Sequence, residues 1–283
     1  MRGTRSPRAA DWSQGDTTVR LLDELDGARV FDLGQTMSGT MPQSPDHPQF
    51  LLTPTFRHID FRTSDGYSAT TEVIVMSGHS GTHLDGFAHA SCDGLILGGT
   101  DACASQNHLG ASVHGLETVS PILRRGVLLD VARAAGVDVL APDHGISADE
   151  LARVAEEAGV DVRAGDCVLV RTGLGAHWDD RRTYPVEHAV PGLIESAAEW
   201  LAEREVFLVG ADNVALERIQ PGMTNLPVHA LFLTKKGILI VEHLRLEELA
   251  AAGASEFLFL CLPLKLKGSS GSPVRPIAVV PRG

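Results

Sequence analysis

The chain has 283 residues, enough to bury a substantial core, and 43% of them are apolar. With 24 Lys and Arg against 36 Asp and Glu the formal charge is −12, and no basic run or stripe offsets it, which argues against a nucleic-acid partner. No stretch approaches the roughly 18 consecutive apolar residues of a membrane span; the best run, 256-EFLFLCLPLKL-266, is short and contains Pro263.

In chain order, the opening MRGTRSPRAADWSQGD carries positive charge without the apolar segment of a secretory signal, so residues 1–15 are expected to form a flexible tail ahead of one domain, 16–283. The run 72-EVIVMS-77 predicts a buried strand, and 126-GVLLDVA-132 a second one. Segment 147-SADELARVAEEAG-159 predicts a helix, because Ser147 and Glu150 make a capping box and Gly159 is a stop. A strand follows in 165-GDCVLVRTG-173. The helix-then-strand order recurs in 191-PGLIESAAEWLAEREVFLVGADN-213, with Pro191 as a helix start. Further strands are expected at 237–244, 256–266 and 274–280, and long loops at 92–110 and 173–192 are candidates to line a site. Many strands and few helices predict a mixed α/β domain. Cys92, Cys103, Cys167 and Cys261 form no CxxC pair, so neither a zinc knuckle nor a disulfide framework is indicated, and a reducing cytoplasm is expected.

The chemistry concentrates in 79-HSGTHLDGFAH-89, which holds three of the 12 histidines and an aspartate. If the preceding strand is buried, Gly78 and Gly81 let the chain turn sharply and expose His79, His83 and Asp85 on a compact loop. Two imidazoles and a carboxylate converging on one cation suit zinc, manganese or iron and leave positions open for water and substrate. His89 is close enough to act as a proton shuttle without binding the metal. Glu242, within the apolar run ILIVEHL, needs either a metal or a hydrogen-bond donor. Asp130 and Asp212 read as structural, His243 as a surface neighbour, and Phe87 and Trp178 as aromatic groups near the site.

HSGTHLDGFAH resembles the signature H-x-G-T-H-x-D-x-P-x-H of the metal-dependent cyclase family, which includes bacterial kynurenine formamidases, isatin hydrolases and a dienelactone hydrolase. It departs from that signature only in having Phe87 at the proline, a residue that ligates nothing. The resemblance extends to 32-DLGQTMSGTMPQSPDHPQF-50, 165–173, 208-LVGADN-213, 226-LPVHALFLTKKGILIVEHL-244 and 263-PLKLKGSSGSPVRPIAVV-280. It implies a swivelling β/β/α fold, a metal on His79, His83 and Asp85, and His89 as the acid/base. In its formamidase branch it further implies a second metal on Asp85, His229 and Glu242, and the family as a whole implies a homodimer or homotetramer with the site near the interface.

Metal-assisted hydrolysis of an amide, imide or lactone of a small cyclic or aromatic substrate is the function this implies. Ring closure of a polyketide-like intermediate at the same site is the alternative. A non-haem iron oxygenase using His83, Asp85 and His229 would leave His79 unexplained, and a non-catalytic metal scaffold would leave His89 without a purpose.

Overall fold

A computed structural model describes residues 25–185 and 188–282. The expected tail at 1–15 therefore lies outside the described residues. The main sheet and its ribbon comprise β1 (Arg29–Asp32), β2 (Leu51–Phe56), β3 (Thr71–Val75), β4 (His83–Asp85), β5 (Ile122–Asp130), β6 (Cys167–Arg171), β7 (Leu208–Ala211), β8 (Leu239–Glu242), β9 (Glu256–Cys261), β10 (Gly271–Pro273) and β11 (Ile277–Val280). Nine of these form one mixed sheet in the order β1-β11-β9-β5-β6-β7-β8-β4-β10. Its middle, β5 to β8, is parallel, and antiparallel strands flank it on both sides. The fold is thus mixed α/β, as expected.

The helices are α1 (Val131–Ala134), α2 (Ala148–Ala158), α3 (Glu195–Glu203), α4 (Pro227–His229, continuing as a π-helix over Ala230–Lys236) and α5 (Glu247–Ala251). Ser147 caps α2 by accepting from the Glu150 N–H at 3.3 Å, and Gly159 ends it in a left-handed turn. The Glu150 carboxylate completes no box; it turns to His144 at 3.0 Å. Pro191 does not start α3, which begins four residues later, because Gly192 and Leu193 first pair with Gly145 and Ile146.

Alternation along the central strands sends side chains into two cores, one on each sheet face. Val127, Leu129, Val168, Val170 and Ile240 belong to one core, shared with Leu151, Leu201 and Phe232 of the helices. Leu128, Cys167, Leu169, Leu239 and Val241 belong to the other, with Leu116, Leu244 and Phe259. Burial on both faces is why these strands read as continuous apolar runs.

Two further expectations, both about the strands around the histidine segment, fail. The segment around 72–77 is not a buried strand: β3 pairs only with β2, in a two-stranded ribbon whose every residue is exposed. Nor do His83 and Asp85 sit on an exposed loop with His79: His79 is in a turn, but His83–Asp85 is itself a fully buried strand, inserted between β8 and β10. A three-residue strand carrying a His and an Asp has too little apolar pattern to be seen without its partners. Among the described residues no helix is long and apolar enough to cross a membrane.

Leu84 is the anchor of that short strand. It is fully buried in the second core and lies opposite Val241, so Leu84→Ala is expected to cost about 2–5 kcal/mol. A denaturant titration should show the midpoint falling at unchanged slope.

Candidate metal centre

Register decides which side chains meet. His83 lies opposite Glu242 and Asp85 opposite Ile240, so His83, Asp85 and Glu242 share the helix-covered face while Leu84 and Val241 point to the other. Glu242 ends β8, at the carboxyl edge of the parallel strands, where open α/β sheets place their sites. Onto the same face α4 delivers His229, whose Nε2 is 3.2 Å from Glu242 Oε1 and 3.7 Å from Asp85 Oδ2. His83 Nε2 is 3.4 Å from Asp85 Oδ1 and 3.5 Å from Glu242 Oε2. Each carboxylate therefore faces His83 with one oxygen and His229 with the other.

His79 arrives from the turn after the ribbon. Its Nδ1 donates to Asp85 Oδ1 at 2.6 Å, and Nε2 meets the Ser270 hydroxyl at 3.1 Å. Gly271 makes this possible, since a Cβ there would lie 2.7 Å from both ring nitrogens of His79. Gly81 takes a left-handed φ of 60°, and its carbonyl accepts from His83 Nδ1 at 2.8 Å, which presents Nε2 to the carboxylates. The Thr82 hydroxyl accepts from the Gln35 N–H and donates to the His243 carbonyl, tying the strand to its surroundings.

His89 is half-buried and stacks on His79 with ring centroids 4.0 Å apart. Burial pushes its pKa down to about 4, with Asp85 opposing, so the imidazole is neutral at pH 7. His83 behaves oppositely: burial lowers its pKa, but the carboxylates of Asp85 and Glu242 outweigh this and raise it to about 9. Burial raises Glu242, and the neighbouring Asp85 charge adds to the rise.

A cation fits this chemistry. Ligand atoms of His79, His83 and Asp85 all lie within 4.8 Å of one another, as do those of Asp85, His89 and His229. Among the described residues Asp85 Oδ2 is buried without a hydrogen-bond partner, a costly position for a carboxylate oxygen unless a positive charge occupies the space before it.

Glu217 belongs to the site although no motif in the sequence marks it. Fully buried, it accepts from His229 Nδ1 at 2.7 Å, from the His229 N–H at 2.9 Å and from the Val228 N–H at 3.2 Å. This leaves Nε2 of His229 free toward the carboxylates, the support a metal-binding imidazole usually has. The residues around it, LERIQ, carry no signal of this burial.

A cavity of about 450 Å³ opens above the cluster, with His47, His79, His83, His89, His229 and Glu242 on one side and Val214, Ile219, Met223 and Leu226 on the other. The expected aromatic walls are absent from it: the Trp178 indole is buried and donates to the Thr36 carbonyl at 2.8 Å, while Phe87 packs against the cores. His243 is no surface neighbour but is buried behind His83. Asp130 and Asp212 are structural, as expected: Asp130 caps α1 and pairs with Arg171, and Asp212 accepts from the N–H groups of Thr172 and Gly173.

Fold and cluster together define a protein with a buried histidine–carboxylate group able to hold a divalent metal beneath a small cavity. The chain belongs to the cyclase family, described as "Putative cyclase", which it matches over residues 31–218. It is 28% identical over 221 residues to Cyclase-like protein 2 of Oryza sativa subsp. japonica, covering 76% of this chain and 67% of that one. It is 26% identical over 233 residues to an isatin hydrolase of Roseibium aggregatum, covering 77% and 78%. A crystal structure described as a novel cyclase superposes with TM-score 0.82 at 26% identity, over 94% of this chain and 93% of that one.

Because His83 holds a proton up to about pH 9 in the metal-free chain, metal uptake at pH 7 must release at least one proton. Calorimetric titration in buffers of different ionisation enthalpy should show that release, with affinity rising about tenfold per pH unit per proton displaced. In the metal-free chain the stabilisation from the charged His83 is full below pH 6.5 and is lost as the pH rises through about 9.

Proposed function

We propose that the chain is a metal-dependent hydrolase that opens an amide, imide or lactone bond in a small cyclic or aromatic substrate. One observation carries this: a buried, unpartnered carboxylate oxygen, Asp85 Oδ2, among imidazoles at the floor of a substrate-sized cavity. The name of the isatin hydrolase relative agrees with hydrolysis. His79, His83 and Asp85 would hold one divalent cation, and Asp85, His229 and Glu242 would hold a second if one binds. Zinc or manganese suits this nitrogen and oxygen donor set. When bound, the cation supplies a Lewis acid that polarises a carbonyl and lowers the pKa of water.

The chain's own residues supply the rest. His89, neutral at pH 7, takes a proton from the attacking water at a ring nitrogen and returns it to the departing nitrogen or oxygen. Burial raises the pKa of the Asp85 carboxyl, but the surrounding imidazoles outweigh this and hold it well below the usual range, so Asp85 keeps its negative charge facing His83 and His229. Val214, Ile219, Met223 and Leu226 exclude water from one wall and give an apolar ring a surface to rest on. Four free cysteines, two of them buried, support a reducing, cytoplasmic setting.

Metal content and chelator-sensitive hydrolysis of isatin, N-formylkynurenine and a dienelactone test the proposal together. His83→Ala should lose both metal and activity. His89→Ala should keep the metal and lose activity by roughly 100-fold or more. Release of metal by His89→Ala would make His89 a ligand instead.

We also propose a homodimer or homotetramer in which a second copy covers the β2–β3 ribbon. A lone two-stranded ribbon is marginal in water, yet this one presents Leu51, Leu52, Val73, Ile74 and Val75 to solvent on both faces. Leu52 and Ile74 are directly paired. Replacing both with Glu should lower the mass measured by light scattering toward that of the monomer, and an unchanged mass would reject the ribbon as the interface.

A further inference from the structure

Consecutive residues of a strand point to opposite faces, so the residue after Glu242 would ordinarily leave the site. Here the strand stops at Glu242, and His243 adopts a left-handed backbone with φ 55°, rare for a residue with a side chain and common where a site demands it. The turn brings His243 back beside its neighbour. Its ring lies 5.7 Å from that of His83, and ligand atoms of His83, Glu242 and His243 all lie within 4.8 Å of one another.

Hydrogen bonding settles the tautomer. Tyr184 Oη is 3.1 Å from the Asp212 carbonyl oxygen, which can only accept, so the phenol donates there. Tyr184 Oη is also 2.7 Å from His243 Nδ1, which must then carry the proton and donate to it. Nε2 is left with a lone pair and, among the described residues, no hydrogen-bond partner. An imidazole whose far nitrogen is fixed by a buried relay is how proteins orient a metal ligand. The relay is itself well anchored, because Tyr184 is fully buried and packs edge-on against Trp178 at 5.6 Å.

His83 Nε2 has one lone pair and can serve one ion only. Glu242 Oε2 faces that same nitrogen at 3.5 Å, so the third arm of that group addresses the ion on the His83 side. We propose that His243 is a further ligand of the cation held by His83, entering on the Glu242 side, with Tyr184 positioning it. The proposal rests on the metal-binding reading of the site.

The test loads the metal-free full-length chain with cobalt(II) and follows visible absorption, affinity, and the hyperfine-shifted imidazole N–H resonances that vanish in deuterium oxide. His243→Asn is the informative variant, because Asn tolerates the left-handed backbone. A melt of its metal-free form checks the fold. The expected result is a native melt, a changed absorption band, affinity down tenfold or more, and one fewer shifted N–H resonance. An unchanged spectrum and affinity would overturn the assignment while leaving the metal site standing. Failure of the unsubstituted chain to bind cobalt, zinc or manganese would instead overturn the metal-binding reading and this proposal with it. If His243→Asn does not fold, Tyr184→Phe serves. It should alter the His243 N–H resonance and weaken binding several-fold, and no change in either would likewise reject the role.

Discussion

Two carboxylates, Asp85 and Glu242, are buried together on adjacent strands, and among the described residues every ion-pair contact they make is to an imidazole. Taking such charges out of water costs several kcal/mol apiece, and their mutual repulsion adds to it. His83 and His229 stand between their oxygens, at 3.2–3.7 Å, and among the described residues Asp85 Oδ2 accepts no hydrogen bond. A protein that maintains this arrangement needs positive charge within it, which protonated imidazoles or a divalent cation can supply. The rest of the site is organised around that need. Gly81 aims His83, Glu217 aims His229, and Gly271 leaves room for His79.

The scaffold supplies rigidity where the chemistry requires it. Strands β5 to β8 carry apolar side chains on both faces, and the two cores lock the position of Glu242 at the end of β8. Strand β4 has only three residues, but its pairing with β8 and β10 fixes His83 and Asp85 to the same face as Glu242. Side chains held by strands vary less in position than those held by loops, which suits a ligand set with tight distance demands. The wall from Ile219 to Leu226, which carries no strand or helix, lies across the cavity.

Membership of the cyclase family and the geometry of the cluster bear on the same chemistry from different directions. Family membership rests on a match through residues 31–218, which includes the histidine segment but stops before His229 and Glu242. Geometry brings those two residues to the same place independently of the match. The proton-carrying role assigned to His89 agrees with its environment, since a half-buried imidazole among other imidazoles stays neutral and can accept a proton.

What the sequence by itself determined were the features whose signals are local. The capped helix 148–158, the apolar central strands and the His-x-x-x-His-x-Asp spacing depend on residues within a few positions of one another. The predicted burial of Glu242 also held, because a carboxylate inside ILIVEHL must go where its apolar neighbours go. Local pattern misjudged 72–77, whose apolar residues lie on an exposed ribbon, and it could not show that His83–Asp85 is a strand, since that depends on β8 and β10 from far along the chain. Only tertiary structure placed Glu217 behind His229 and turned His243 inward, because both depend on contacts across the fold or on one backbone dihedral. Sequence determined which chemical groups were available; long-range pairing decided which of them share a face, because a strand exposes alternate residues and its register is set by its partners.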